Sequence, residues 1–580
     1  MATVDSTTAP SRRARRTSRD PSVLLFLGTG LAAMLLELFV TRFGIKITTD
    51  SATYLGVAHN LSSGRGLTVP FVNTLDHFTP AQGVGFAGEV PLLLFGPLLS
   101  IVLAPFDRLG IDLLDVLPLL NSVLLGVTVG TVAVLTYRIT RRSVLLAVVA
   151  AALVVHAQVL QVFSFVESEP LYLALTLVAL GCLARYLTTN RPPLLVWFVV
   201  LAGLAAVTRY IGVSVLVTGF LALLLWSAGS QRQRIARAFG ATALGAVPVL
   251  VFRLYESGLA GGFRRPLTVY SPPAANWAGI VDSLDHWIVP GNPYVIPGPH
   301  RRLLMGIVLG LLVIALIVLS IGTFARERRL AAEVPDTLET AASPRTPELL
   351  EVRESQMLVR VVTMALVSYL VVLAATRVLA DASPSFQFGD RLLVPVLPLV
   401  WILIVGVLGR AITVRWTGAA ARRAVAVLAG VGLVLAFAHL LNADTIIGWP
   451  DDSSAKVTSS PSPTWTLMRR YPQDTLIVTS DPAGAWFEDG FDAVSVPSRV
   501  WALTDTRNDH LDRDIAQVGR ALQQHGGYVV FTYGSTLFNP HLVPEAKLVG
   551  RLGLREVARA ADGRVYELPG TNDAKAGAIR

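Results

Sequence analysis

Long apolar runs, most of them bounded by arginines, organise the greater part of the chain. They lie at residues 23–43, 116–137, 144–162, 170–187, 194–208, 211–226, 238–255, 303–324, 358–379, 392–408 and 424–441. At roughly 20 residues per membrane-crossing helix, they predict about eleven spans, two of them short. A further apolar run, 90–106, carries Pro91, Pro97 and Pro105. Proline inside a helix removes a hydrogen bond and clashes with the preceding turn, which suits a segment lying along the interface. The arginines agree. If 90–106 lies at the interface, the clusters at 138–142, 185–191, 232–237, 326–329 and 410–423 all fall inside. If it spans, they fall outside, against the positive-inside bias. The first run is too long for a signal-peptide core and has no small-residue cleavage site, so it reads as an uncleaved helix with the N-terminus inside.

This plan predicts a mainly α protein, a polytopic transmembrane helical bundle of about eleven spans over 23–441. A cytoplasmic tail, 1–22, precedes it. Extracytoplasmic loops occupy 44–115 and 257–302, and a cytoplasmic linker, 325–357, is rich in Glu, Arg, Pro and Ala and reads as mobile. From 442 to 580 the pattern changes. A Ser/Pro stretch at 453–463 leads into short β-type runs at 475–479, 493–496, 528–533 and 565–568. A helix-type run lies at 512–524. Strands alternating with a helix predict a small extracytoplasmic α/β domain.

Composition supports a multi-pass cell-membrane protein. Of 580 residues, 53% are hydrophobic and 15% charged, against roughly 25% charged for soluble domains. The 49 Lys+Arg exceed the 40 Asp+Glu by nine. In a soluble protein that excess would suggest nucleic acid; here the arginines sit at the ends of apolar runs, so no nucleic-acid partner is expected. There are four lysines, and with so much Ala, Val, Leu and Arg this suggests a GC-rich bacterial genome. The single cysteine, Cys182, permits neither an intrachain disulfide nor a cysteine metal site.

Several polar stretches stand where the apolar runs end. The first outer loop opens Thr49-Asp50-Ser51-Ala52-Thr53-Tyr54 and continues through Ala58-His59-Asn60-Leu61 to Gly64-Arg65-Gly66. Glu89-Val90-Pro91-Leu92 opens the Pro-rich run. Ser168-Glu169-Pro170-Leu171 opens the fourth span. Thr208-Arg209-Tyr210-Ile211-Gly212 interrupts two short helices, and Asp390-Arg391-Leu392 leads to Pro395 and Pro398. Asp481-Pro482 follows a strand in the tail. In order and sidedness these stretches resemble the GT-C superfamily of integral-membrane glycosyltransferases. The likeness is to its lipid-phosphate-sugar-dependent mannosyl- and aminoarabinose-transferases.

The resemblance implies transfer of a sugar from a polyprenyl-phosphate donor to a glycan, lipid or protein acceptor hydroxyl at the outer face, with inversion. It marks Asp50 and Glu169 as catalytic, and Tyr54, His59, Arg209, Tyr210 and Arg391 as substrate-binding. No cofactor is indicated with certainty. A divalent metal is the one candidate, with its ligands unknown, because the acid that often accompanies the aspartate is replaced here by Thr49 and Ser51. The residues themselves point the same way. A carboxylate is the usual base for deprotonating a hydroxyl, and an arginine at a helix break can grip phosphate bidentately. Plainer readings stand beside these. Asp50 also reads as a helix cap, Glu169 as a first-turn acid favoured by the helix dipole, and Arg209 as a snorkelling side chain. Glu167 reads as a solvated charge, and Glu37 as a polar contact to a neighbouring helix. Arg264, Arg265, His286, Arg301 and Arg302 read as solvated loop charges. Two other classes fit an apolar bundle: a transporter or flippase of lipid-linked sugars, which predicts inverted repeats, and a non-catalytic scaffold.

Overall fold

A computed structural model describes residues 21–71, 90–92, 95–259, parts of 281–322, 346–380, 390–441, 462–501, 506–533 and 541–571. The helices of the bundle are α1 (Pro21–Val40), α2 (Thr49–Ser62), α3 (Leu98–Arg108), α4 (Leu113–Ile139), α5 (Val144–Val154), α6 (Ala157–Phe163) and α7 (Glu169–Thr189). They continue with α8 (Pro192–Thr208), α9 (Val213–Trp226), α10 (Gln231–Leu259), α11 (Thr346–Ala380), α12 (Asp390–Leu393), α13 (Val396–Arg415) and α14 (Gly418–Leu441). Among the described residues, seven helices are long and apolar enough to cross a membrane: α1, α4, α7, α13, α14 and most of α10 and α11. The α5–α6 pair makes an eighth if its two parts form one span. Helices α8 and α9 are apolar but shorter. Apolar side chains on α1, α10 and α14 remain exposed, Leu24, Leu31, Leu254 and Val434 among them, as expected of helices that face lipid rather than water.

Helix α4 is the hub, packing against α1, α5, α7, α11 and α13. Its contact with α1 is close because both helices place glycine there. A Cβ on Gly30 would meet the Gly126 carbonyl oxygen at 2.8 Å, and a Cβ on Gly126 would meet that of Gly30 at the same distance. Small residues permit this approach where no water exists to drive packing.

Several departures from the sequence reading have local causes. The run 144–162 is not one straight span: α5 and α6 are bent by 63°, and the backbone leaves the helix at Val155 and His156. The run 392–408 is divided by a turn before α13, with Pro395 at its N-cap. Part of the linker 325–357 is ordered, since α11 begins at Thr346. Glu354 there meets Arg138 at 2.7 Å, and Glu351 pairs with Arg142. Residues 323–345 lie outside the described residues, as do Arg264 and Arg265. Arg301 and Arg302 are not simple solvated charges; they pair with Asp285 (2.6 Å) and Asp282 (2.7 Å). Glu37 is fully buried, but its carboxyl oxygens have no hydrogen-bond partner among the described residues, so it is not the polar contact expected.

Helix α3 has 11 residues, about 16 Å of length, too short for a hydrocarbon core of about 30 Å. It lies against α2, burying Leu99 and Leu103, and its Ser100 hydroxyl donates to the Tyr54 carbonyl at 2.9 Å.

The C-terminal part is a five-stranded sheet. Its strands are β1 (Ile477–Thr479), β2 (Ala493–Ser495), β3 (Tyr528–Thr532), β4 (Arg555–Ala560) and β5 (Gly563–Glu567), in the order β2-β1-β3-β5-β4. β1 runs parallel to β2 and β3; β5 is antiparallel to β3 and β4. Helix α15 (Leu511–His525) buries Ile515, Val518 and Leu522 in the core beside this sheet. A short helix, Pro482–Asp489, carries Trp486 away from the sheet and into the layer formed by α2 and α3, 6.1 Å from the Phe71 ring.

Candidate active site

Two local devices bring the ends of α2 and α7 together. Lys46 and Phe165 form a parallel bridge, with the Lys46 amide donating to the Ser164 carbonyl (2.9 Å) and the Val166 amide to that of Lys46 (3.1 Å). Immediately after it, Thr48 and Ser51 form a capping box at the start of α2, and the Ser51 hydroxyl donates to the Val166 carbonyl at 2.9 Å. The cap of α2 is therefore Thr48. Asp50, in the first turn, is not needed for capping, and its side chain is left to join a cluster of charged groups.

That cluster has five charged groups. Arg391 lies in α12. Its Nη1 meets Asp50 Oδ2 at 2.8 Å, and its Nε meets Glu169 Oε1 at 2.6 Å and Glu167 Oε2 at 3.1 Å. Arg209 lies between α8 and a 3₁₀ turn (Tyr210–Gly212), with extended backbone that breaks the helix. Its Nη1 meets Glu169 Oε1 at 2.5 Å and donates to the Ser168 hydroxyl at 3.3 Å. The Tyr54 hydroxyl donates to the same Ser168 oxygen at 2.8 Å. The break at Arg209 is held closely: a Cβ on Gly96, just before α3, would meet the Thr208 carbonyl oxygen at 2.2 Å. On the other side, the Tyr369 hydroxyl of α11 donates to the Leu392 carbonyl at 2.6 Å and fixes α12.

The three acids differ in access. The side chain of Glu169 is 0% exposed, that of Glu167 5% and that of Asp50 25%. Glu169 is more than a first-turn acid, because two guanidinium groups converge on one of its oxygens. Its other oxygen, Oε2, is buried with no hydrogen-bond partner among the described residues. Glu167 is not a solvated charge: burial and then the negative charge of Glu169 push its carboxyl well above the usual carboxylate range. Burial opposes the charge on Arg391, but Glu169, Glu167 and Asp50 outweigh it and hold the guanidinium more firmly protonated. With every group ionised, three carboxylates face two guanidinium groups, one negative charge in excess. A proton on Glu167 makes the cluster neutral.

Of the residues singled out in the sequence, Asp50, Glu169, Arg209, Arg391 and Tyr54 come together. His59 and Tyr210 do not. His59 lies nine residues on from Asp50 along α2, with Nδ1 3.2 Å from Asp107 Oδ2 and its ring 6.4 Å from that of Trp486. The Tyr210 ring is covered by the Arg253 guanidinium, 4.1 Å from its centroid. Ser168 and Glu167 complete the cluster, and sequence reasoning gave neither a role in it. The acid missing beside Asp50 in the chain is supplied in space, by Glu167 just before α7 and Glu169 at its first residue. A divalent metal does not fit this arrangement. The carboxylates converge on the Arg391 guanidinium, and no group of three or more His, Cys, Asp or Glu among the described residues is disposed to hold an ion.

Among the solved structures to which the chain is similar are those of two proteins. The archaeal oligosaccharyltransferase AglB from Archaeoglobus fulgidus, in complex with an inhibitory peptide and a dolichol-phosphate, aligns over 88% of this chain and 70% of its own. Its identity is 15% and its TM-score 0.45. ArnT from Cupriavidus metallidurans bound to undecaprenyl phosphate aligns over 95% of this chain and 98% of its own, with 14% identity and a TM-score of 0.42. Its apo form gives 94%, 97%, 12% and 0.41 in the same order. No family model matches the sequence, and no curated protein does.

Proposed function

We propose that the protein is a membrane glycosyltransferase that moves a sugar from a polyprenyl-phosphate donor to an acceptor hydroxyl on the extracytoplasmic face, with inversion. The observation that carries this reading is the access pattern of the cluster. Of the three carboxylates only Asp50 is partly exposed, and it meets the partly exposed Arg391, while Glu169 and Glu167, which hold the guanidinium groups from the other side, are buried. Asp50 takes the proton of the acceptor hydroxyl. The hydroxyl oxygen bonds to the anomeric carbon as the bond from that carbon to the phosphate oxygen breaks, and polyprenyl phosphate leaves. Arg391 and Arg209 face the negative charge that develops on the departing phosphate. Glu169 positions both arginines, and Tyr54 holds Ser168 against Arg209. The C-terminal α/β part, on the same face, offers a surface for a glycan, lipid or protein acceptor. A radiolabelled polyprenyl-phosphate sugar incubated with membranes containing the protein should yield a new glycosidic product. Movement of the lipid-linked sugar without product would favour a transporter or flippase, and neither result a scaffold.

This reading requires the N-terminus inside and the C-terminal part outside. Reporter fusions after Thr140 and after Asp444 should report opposite sides, inside and then outside. The same side for both would sink the arrangement.

The charge on Glu167 gives a pH signature. Protonated, it leaves the cluster neutral toward a phosphate; ionised, it adds a repelling charge. Its carboxyl titrates above the usual range, so donor binding should be strongest below that raised pKa and weaken as pH rises through it. Glu167→Gln should flatten the rise of donor KM with pH. A wild-type KM that is independent of pH, or a rise that persists in Glu167→Gln, would remove Glu167 from this role.

A further inference from the structure

A second charged site lies at the opposite end of the bundle. Arg185 is on α7, the helix that begins with Glu169, and 16 residues at 1.5 Å each put it about 24 Å further along. There the start of α1, the ends of α4 and α7 and the start of α11 enclose a cavity of about 120 Å³. A water molecule claims roughly 30 Å³ of liquid, so the space suits a compact hydrated anion. Four arginines line it against two glutamates, an excess of two positive charges. Two of the arginines are already matched: Arg138 by Glu354 at 2.7 Å and Arg142 by Glu351. Arg141 and Arg185 make no ion pair among the described residues, and both are exposed residues of the cavity lining. The turn that presents Arg141 and Arg142 is unusual. Both have positive φ, 54° and 77°, a conformation that non-glycine residues keep only where surrounding structure enforces it.

We propose that this cavity is a binding site for a phosphate-bearing anion, with Arg141 and Arg185 as its first contacts and Arg142 recruited from Glu351. Guanidinium forks match phosphate oxygens in geometry and charge, and basic pockets between spanning helices hold lipid head groups in this way. Two sources offer the same chemistry: an anionic phospholipid of the adjoining leaflet, or soluble phosphate. The residues that follow Ser22 at the cavity, Val23, Leu24 and Leu27, are exposed and apolar, so acyl chains can run beside a head group seated there. The site is independent of the sugar-transfer chemistry at the other end of α7.

The test uses the full chain in detergent, with native mass spectrometry to count retained lipid. The probes are phosphatidylglycerol, phosphatidylcholine as the zwitterionic control, and inorganic phosphate. Wild type should retain phosphatidylglycerol over phosphatidylcholine, and Arg141→Gln/Arg185→Gln should lower that preference about tenfold or more. If millimolar inorganic phosphate displaces the lipid from wild type, the soluble anion is the occupant; if it does not, the lipid head group is. Should the double variant fail to fold, Glu351→Gln answers instead: it releases Arg142, and retention should rise about twofold or more. Equal retention by wild type and the double variant, or no gain in Glu351→Gln, overturns the site.

Discussion

Asp50→Asn is expected to slow sugar transfer by about 10²–10⁴-fold, the usual contribution of a general base, and to leave the fold in place. The second half of that expectation rests on the capping box. Thr48 and Ser51 cap α2 and tie it to Val166, so an amide at position 50 removes no cap. The ion pair to Arg391 is lost, but Asp50 is a quarter exposed and Arg391 keeps Glu169 at 2.6 Å and Glu167 at 3.1 Å. A partly exposed pair contributes about 0–1 kcal/mol, too little to unfold a bundle of this size. Thermal unfolding should therefore stay near wild type, and donor binding should not weaken, while product formation from a radiolabelled donor falls. Asp50→Glu keeps the base and changes its reach, so partial activity is expected. Near-normal turnover by Asp50→Asn would remove Asp50 from the chemistry, and Glu169 does not replace it easily, because its side chain has no exposed surface. Loss of activity together with loss of folded protein would instead make Asp50 a structural residue.

The bundle was legible because its signals are long and one-dimensional. An apolar run of twenty residues needs no partner to declare itself, and the helices α1, α4, α7, α13 and α14 fall where such runs lie. What escaped was decided by breaks and by contacts across the chain. The bend between α5 and α6 sits in a run whose mean hydropathy stays high, and its polar residues His156, Gln158 and Gln161 do not by themselves predict a break. The ordered start of α11 depends on Arg138 and Arg142, more than 200 residues away, which give Glu354 and Glu351 their partners. In the C-terminal part, the strands with apolar cores, β1, β2 and β3, were readable. Strand β4, Arg-Glu-Val-Ala-Arg-Ala, was not, because it is an edge strand with mostly exposed side chains.

The site shows the same division. Asp50, Arg209 and Arg391 stand out in the sequence because each is a charge at the edge or break of an apolar run. Glu167 was misread for a physical reason. In a short loop between two spans, a carboxylate is normally hydrated, and only the approach of Arg391 from α12 makes burial tolerable. The acid expected beside Asp50 was sought at neighbouring positions, whereas the fold supplies it from the segment bridged to Lys46. A pair of residues, Lys46 and Phe165, thus carries information that no local motif holds.

Arg209→Ala is expected to produce the other large loss, about 10²–10³-fold in transfer, if the guanidinium meets charge that develops on the leaving phosphate. Its structural role complicates the result, and the geometry shows how to separate the two. Glu169 is fully buried and holds Arg209 at 2.5 Å and Arg391 at 2.6 Å. Removing one partner of a buried ion pair typically costs about 3–5 kcal/mol. Here Arg391 remains on the same oxygen, so a smaller loss, about 1–3 kcal/mol, is expected. Arg209→Lys keeps the charge and loses the fork, and should hold stability better than activity. The decisive variant is Arg209→Ala combined with Glu169→Gln. Neutralising the acid removes the uncompensated charge, so thermal stability in detergent should recover toward wild type. Transfer should not recover, because the phosphate contact is still missing and Arg391 has lost the carboxylate that positions it. Recovery of both would show that Arg209 serves only to neutralise Glu169. Normal donor use by Arg209→Ala alone would exclude a phosphate contact at that position and leave Arg391 as the cation facing the leaving group.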